Sequence, residues 1–536
     1  LEALMVFETS KGISEWVRDD FALFRGLFKS LEDPVAGLHT YPIELADGRR
    51  IRVHLRVENS GDGILFVDVT DAFHLNSTAV KMAKLALDNI PESLARGMFM
   101  NTYDWRATKV IREELAAIYQ LIDLVRTQPE VCIHCELGDF FEIVPLFGVP
   151  VNAPYKVDIA LTYGCNDKCP HCYNEANRLG MPSLPVQDWF LVLDKLAALG
   201  IPHLILTGGE PTLHPDLPEI IQYADGLGMI VGSNSNGRRL AHKPYAERLA
   251  KAGLNHVQVT LGSHDAKVHN AMMGSRSFDQ RVRGIQNALA CGIHVITNTT
   301  LMRGTMDHVE EFIDSLYDLG IRTFAMNGMI YSGGGFENPN AIPEAELPSL
   351  LVRVRDYALK KQMRFMWYTV TEYCRMSPIE LDIGAKRCNA AEYSMCIEPN
   401  GDVIPCQSYY RSAGNILQNS WESIWNGDLF RRFREREDRP REVGLEEKCW
   451  ECPDLLLCGG GCRIELEARR GVRVATTGGG CFGCGAWADS DEEDRKRFEP
   501  LGGYVPPDAQ IDTKIRTSGR LSLLTLEETP RIRGEG

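Results

Sequence analysis

From Tyr155 to Tyr331 strand-like runs alternate with helical ones, and few folds accommodate that pattern. The strand-like runs are Tyr155–Thr162, His203–Leu206, Met229–Ser233, His256–Leu261, His294–Thr299 and Thr323–Asn327. Between them lie helical runs over Val186–Leu199, Leu217–Leu227, Tyr245–Ala252, Phe278–Ala290 and Asp307–Leu319. Such alternation predicts parallel strands joined by right-handed crossovers, an open or closed α/β barrel. The stretch Ser332-Gly333-Gly334-Gly335 marks a loop at its end.

Directly after the first of these strands comes Cys165-Asn-Asp-Lys-Cys169-Pro-His-Cys172-Tyr173. A cubane iron–sulfur cluster is usually held by four thiolates. Three cysteines on one tight loop reach three irons and leave the fourth open to chelate the amino and carboxylate groups of a small molecule. The loop sits at a strand's C-terminal end, where barrel active sites lie. Taken alone, the triplet also suits a zinc knuckle or free thiols. After the second strand follows Thr207-Gly208-Gly209-Glu210-Pro211, in which two glycines permit close backbone approach and Glu210 can accept from an ammonium group.

The cysteine loop and the glycine–glutamate turn, one strand–helix unit apart, resemble the signature of the radical S-adenosylmethionine (SAM) superfamily. That resemblance implies a partial (β/α)6 barrel. It makes Cys165, Cys169 and Cys172 the ligands of the SAM-binding [4Fe–4S] cluster, and gives Gly208, Gly209 and Glu210 the grip on the SAM amino group. Ser235 and Asn236, in Ser233-Asn-Ser235-Asn236-Gly237, are similar to the family's segment near the SAM ribose. Thr260 stands for the hydroxyl of the family's Ser-Leu-Asp-Gly ending, while Gly262 replaces its acid. Arg281 or Arg283 is a candidate for the SAM carboxylate, with surface solvation the equal alternative, and Asn298 is a further candidate. In the family, one-electron reduction splits SAM to methionine and a 5′-deoxyadenosyl radical, which abstracts hydrogen from an unactivated carbon.

Sixteen cysteines in a chain of 536 residues cluster at CxxC-type spacings, which argues for metal over disulfides. Cys388, Gly401 and Cys406, then Cys449-x2-Cys452-x5-Cys458-x3-Cys462 and a later Cys481, resemble the SPASM extension found behind radical SAM barrels. Two auxiliary [4Fe–4S] clusters, three clusters in all, are implied. Cys388, Cys406 and Cys462 would serve the first, with Cys396 as fourth ligand and Cys374 a remoter option. Cys449, Cys452, Cys458 and Cys481 would serve the second, with Cys484 able to replace Cys481. Four cysteines alone at 449–462 would suit zinc almost as well. Cys291 reads as a buried small side chain, and Cys132 and Cys135 as unpaired thiols. Gln407 follows Cys406 where sulfatase-maturing relatives carry an Asp base, so formylglycine formation is disfavoured unless Glu372 or Asp382 substitutes.

The remaining sequence sets the domain plan. Residues 1–130 open with a helical run Ile13–Leu31. Strands Leu38–Leu45, Arg50–Glu58 and Ile64–Val69 follow, then three helices with caps at Ser77 or Thr78 and at Asp104. This winged-helix-like unit resembles the PqqD-like domain that binds precursor-peptide leaders, notably at Phe73-His-Leu-Asn76-Ser-Thr-Ala79. The barrel spans 150–345, a linker helix 346–373, the auxiliary-cluster domain 374–490, and a polar tail 491–536.

Net charge of −15 without a long basic block argues against nucleic acid. The absence of a bilayer-length apolar run or signal-peptide pattern argues for a cytoplasmic protein with no membrane partner. The reading is therefore an α/β radical SAM/SPASM enzyme that modifies a ribosomal peptide, oxidatively or by crosslinking, fed by a flavodoxin- or ferredoxin-type donor. The alternatives are a maturase of a small-molecule cofactor or haem precursor, and a non-catalytic zinc or electron-transfer protein.

Overall fold

The computed structural model describes residues 19–45, 50–67, 71–127, 151–336, 338–471 and 520–524. Cys132, Cys135, Cys481, Cys484 and the acidic run 489–494 lie outside them. The chain divides into two units, Leu1–Pro145 with Gly519–Gly536, and Leu146–Ser518.

In the first unit, residues 19–26 are helical, inside the expected helical run. Strands β1 (Gly37–Glu44), β2 (Arg50–Val57), β3 (Gly63–Val67) and β4 (Asp71–Leu75) form an antiparallel meander. The hairpin at Gly61 closes through Glu58 N–H donating to the Asp62 carbonyl at 2.8 Å. Four strands stand where the sequence suggests three, because Asp71–Leu75 pairs with β3 instead of turning directly into a helix. The helix Ser77–Leu87 is capped one residue earlier than expected: the Asn76 side chain accepts from Ala79 N–H at 2.9 Å. It packs with Glu92–Thr102 and Thr108–Thr127 on the sheet, where Val53, Leu55, Leu65 and Phe73 meet Met82, Phe99, Leu115 and Ile118. The expected polar tail supplies one more strand. Arg520–Leu524, the last strand among the described residues, runs parallel to β4, from Arg520↔Asp71 to Leu524↔Leu75.

In the second unit, β5 (Lys156–Thr162), β6 (His203–Gly208), β7 (Ile230–Ser235), β8 (His256–Thr260), β9 (His294–Thr300) and β10 (Thr323–Asn327) pair in sequence order, all parallel. Helices cover the crossovers, so β5 carries Val157, Ile159 and Leu161 at 0% exposure with Ala160 at 2%. Sheets covered on both faces read as continuous apolar runs for this reason.

Two additions extend the barrel strands. The helix Leu347–Lys360 leads into β11 (Arg364–Trp367), which lies parallel to β10, so the segment expected as a linker adds a helix and a seventh strand to the parallel run that starts at β5. On the other edge, β12 (Ser394–Ile397) runs parallel to β5 and β13 (Val403–Ile404) antiparallel to β12. The cysteine-rich region thus begins as part of the barrel sheet. Among the described residues no helix is long and apolar enough to cross a membrane.

Two buried histidines make this fold sensitive to acid. His256 in β8 and His74 in β4 are each held down to about 4, first by burial and then by nearby positive charge. Above pH 6.5 both the folded and unfolded forms are neutral. As pH falls from 6.5 towards 4 the unfolded chain takes up protons that the fold refuses, and stability drops by up to about 3 kcal/mol per group. Urea midpoints measured across that window should fall steadily, and less steeply in His256→Gln; equal slopes would refute the assignment.

Candidate active site

Because β5 to β10 are parallel, their carboxyl ends gather at one end of the sheet, and the cysteine loop starts there, immediately after Thr162. Gly164 N–H donates to Thr162 Oγ1 at 3.1 Å and turns the chain out of the strand. The glycine pair crosses directly over this turn. Gly209 N–H donates to the Thr162 carbonyl at 2.7 Å and Glu210 N–H to the Gly164 carbonyl at 2.9 Å. A Cβ on Gly208 would lie 2.1 Å from the Thr162 oxygen, and one on Gly209 would lie 2.4 Å from the Gly164 oxygen. The glycines are therefore required by the chain's own backbone, and the turn seats the cysteine loop against Glu210.

Glu210 is fully buried, and burial raises its pKa against the pull of its donors. Thr212 N–H and Oγ1 (3.1 and 2.5 Å) and Ser235 Oγ (2.8 Å) donate to Oε1; Asn236 N–H donates to Oε2 at 2.6 Å. Ser235 and Asn236, expected near a ribose, thus hold the carboxylate in place. Asn236 Nδ2 also donates to Asn166 Oδ1 at 2.6 Å, linking Glu210 to the cysteine loop through one residue. Thr260 and Asn298 are register partners at the ends of β8 and β9, and the buried Oδ1 of Asn298 has no protein partner.

The two arginines considered for the SAM carboxylate part company, Arg283 on the surface and Arg281 inside. Arg281 is fully buried and is spent on protein: it pairs with Asp167 Oδ2 inside the cysteine loop, and its Nη1 donates to the Thr260 carbonyl at 2.6 Å. Arg283 is exposed and reaches the Asp279 carbonyl of its own helix. The loop's far side is held by the glycine stretch, where Gly334 N–H donates to the Cys172 carbonyl at 2.7 Å and Gly333 N–H to Glu175 Oε1 at 2.9 Å.

The thiols fit an iron–sulfur donor set. Burial pushes Cys165 up to about 11 and Cys169 up to about 12, and Cys172 adds to both by like charge. Backbone amides nevertheless aim at the sulfurs: Asp167 N–H reaches Cys165 Sγ at 3.4 Å, and Asn174 N–H favours the Cys172 thiolate. Such i+2 donors stabilise an anionic sulfur and do little for a neutral thiol. Among the described residues no three Cys, His, Asp or Glu side chains converge tightly enough to hold a single ion.

Two further thiol groups occur in the cysteine-rich region. In one, the half-buried Cys406 is raised first by burial of its thiol and then by the neighbouring Cys388, with Cys462 adding to it; Cys396 adjoins Cys406. Cys462 itself is pushed up to about 12, by burial and then by Cys388. Ser408 and Tyr409 amides serve Cys406, and Ile464 and Glu465 amides serve Cys462. In the other, Cys449 is pushed up to about 12 by burial, with Cys458 and Cys374 among its charged neighbours. Cys452 packs beside Cys449 with Leu445, Leu455 and Leu466. Cys374, considered for the first set, belongs by position with the second.

Gly459, Gly460 and Gly461, between Cys458 and Cys462, all have φ between +66° and +80°. Successive left-handed residues turn their N–H groups into an anion-binding concavity, and the Gly460 and Gly461 amides serve Cys458. Tyr373 N–H adds a further donor to the same sulfur at 3.3 Å.

Of the two residues considered as a substitute base, Glu372 is engaged and Asp382 lies exposed. Glu372 is buried between Arg375 (2.6 Å), Arg469 (2.8 Å) and Lys448 (3.3 Å). Asp382 is an exposed residue at φ +54°.

Residues 159–316 match the family model of the radical SAM superfamily, and residues 388–453 that of the iron–sulfur cluster-binding SPASM domain. The PqqA peptide cyclase of Streptomyces rochei is 28% identical over 340 residues, which are 61% of this chain and 89% of that protein. Mycofactocin maturase MftC of Mycobacterium tuberculosis is 28% identical over 334 residues, 60% of this chain and 81% of its own. An AdoMet-dependent heme synthase of Methanosarcina barkeri is 26% identical over 338 residues, 60% of this chain and 94% of its own. Among solved structures, Streptococcus suis SuiB bound to S-adenosylmethionine superposes with a TM-score of 0.56 at 20% identity, covering 77% of this chain and 95% of SuiB. That likeness concerns the fold.

The backbone crossing at Gly209 gives a direct test of the site. Gly209→Ala should displace the cysteine loop and remove the iron of one cluster, read by iron analysis after anaerobic reconstitution. Gly180→Ala, with nothing within 4 Å of its Cβ position, should keep all of it. Equal iron in the two variants would refute the seating role. With the cysteine loop and the glycine–glutamate turn brought together at the carboxyl ends of the strands, the chain carries a radical SAM domain followed by a SPASM iron–sulfur cluster-binding domain.

Proposed function

We propose that this enzyme uses SAM-derived radical chemistry to modify a side chain of a ribosomally made peptide, by oxidation or crosslinking. The observation that carries the radical chemistry is the seating of the Cys165–Cys172 loop on the fully buried Glu210 at the strands' carboxyl ends. Cys165, Cys169 and Cys172 would hold the SAM-binding cluster, with Glu210 as acceptor for the SAM ammonium group. Cys388, Cys396, Cys406 and Cys462 would hold one auxiliary cluster, and Cys449, Cys452, Cys458 and Cys481 the other. What the bound cluster and SAM supply together is one-electron cleavage of the sulfonium and a hydrogen-abstracting 5′-deoxyadenosyl radical. The chain's own part is to fix the cysteine loop, keep water from the barrel end and present the substrate carbon. Surplus electrons would leave through the auxiliary sites, and a flavodoxin- or ferredoxin-type protein would supply the first one.

A peptide substrate is supported by two peptide-processing relatives, the PqqA cyclase and MftC, and by the fold likeness to SuiB, which has also been solved bound to its precursor peptide SuiA. The sheet-and-helix unit of residues 1–145 would recruit the peptide in the manner of PqqD-like domains. The heme synthase relative favours a second reading, a maturase acting on a haem precursor.

Anaerobic incubation with SAM and dithionite should release 5′-deoxyadenosine from the reconstituted enzyme, and Cys169→Ala should reduce it to background. Product unaffected by that substitution would refute the radical assignment. A mass change in the peptide encoded beside the gene supports the first reading; turnover of a haem precursor without peptide change supports the second.

A further inference from the structure

The cysteine loop carries a buried charge that the ligand assignments leave unexplained. Asp167 lies between Cys165 and Cys169, its side chain 1% exposed. Three side chains from outside the loop converge on it. Arg238, just past β7, donates Nη1 to Oδ1 at 2.9 Å, and Ser275 Oγ donates to the same oxygen at 2.6 Å. Arg281, from the helix Phe278–Ala290 and 0% exposed, pairs with Oδ2. Each arginine is itself fixed. Arg238 Nε donates to Gln280 Oε1 at 2.8 Å and its Nη1 reaches the Asn166 carbonyl, while Arg281 Nη1 holds the Thr260 carbonyl. Lys168 N–H, the next donor along the loop, bonds to the Met273 carbonyl at 3.1 Å.

A buried carboxylate gripped from the end of β7, from the turn before the helix Phe278–Ala290 and from that helix is an anchor, because breaking one partner leaves an uncompensated charge away from water. It is also a fixed charge group beside the sulfurs, with little solvent to screen it. Adding an electron to an iron–sulfur site becomes harder as nearby negative charge grows and easier as it falls.

We propose that Asp167 and Arg281 are positioning residues that hold the cysteine loop in its ligating shape and, as a buried charge pair, set how readily the SAM-binding site accepts its electron. The proposal rests on the cluster assignment made above. It is tested on the reconstituted full chain by potentiometric titration of the paramagnetic resonance signal that changes on adding SAM. Asp167→Asn removes the negative member and should raise the midpoint potential. Arg281→Met leaves the carboxylate with one guanidinium and should lower it, and the double variant should return towards the wild-type value. Arg281→Lys, which keeps the charge without the fork, should stay near wild type in potential.

Opposed shifts that cancel in the double variant are not expected from a purely structural role, which would lower iron content in both singles alike. Unchanged potentials, or shifts of the same sign, would overturn the proposal while the wild-type signal stands. Should Arg281→Met not fold, a rise in Asp167→Asn with none in Arg281→Lys still supports it, and no rise in Asp167→Asn overturns it. Absence of any SAM-responsive signal in the wild type would overturn the cluster assignment and this proposal together.

Discussion

Several thiolates buried side by side repel one another, and the architecture around the three cysteine groups answers that repulsion. Burial raises the proton affinity of Cys165, Cys169 and Cys172, and the like charge of Cys172 adds to it at the other two. The fold opposes this with donors in place of bulk solvent. Backbone amides two residues on serve Cys165, Cys172, Cys406, Cys458 and Cys462, and Arg281 supplies a guanidinium close to Cys169. A sulfur that accepts amide hydrogen bonds before any metal arrives is prepared for the thiolate state that ligation requires.

The same need for rigidity explains why the cysteine loop is bound along its whole length. The Gly208–Gly209 crossing fixes its entry, the Asp167 group its middle, and the Gly333–Gly334 stretch its exit. None of these supports is local in sequence. They come from β6, β7, the helix Phe278–Ala290 and the turn after β10, which parallel pairing delivers to one end of the sheet. Asn236 then joins the loop to Glu210, so the expected ligand cradle and the expected SAM contact form one hydrogen-bonded body.

The cysteine-rich region gains its stability in a similar way. It lacks the apolar periodicity of an independent core, yet β12 lies against β5 and places Cys396 in a buried cluster with Ala160, Tyr163, Ile404 and Tyr410. An apolar cluster of Val443, Leu445, Leu455 and Leu466 adds to it, and buried ion pairs fix the charged side chains between. Arg387 and Arg436 share Glu392, and Glu372 is clamped by Arg375, Arg469 and Lys448. This network is why Glu372 is a structural counter-charge instead of a free base.

Much of this was legible in the chain alone. The strand–helix alternation determined the parallel barrel, and β10 falls on Thr323–Asn327 as the pattern indicates, because periodicity and local propensity act within a few residues. Cysteine spacing determined the signature loop and the auxiliary array, since thiols on one short segment have only a few partners to share. Other features depended on tertiary structure. The parallel Arg520–Leu524 strand arises from pairing with β4 over a long sequence separation, which no local pattern encodes. The inward turn of Arg281 onto Asp167, and the placing of Cys374 beside Cys449 and Cys458, likewise follow from elements that meet only after folding. Residue chemistry and spacing fixed which groups were available; burial and long-range packing decided which of them face each other, because charge in a low-dielectric interior is settled by its neighbours in space.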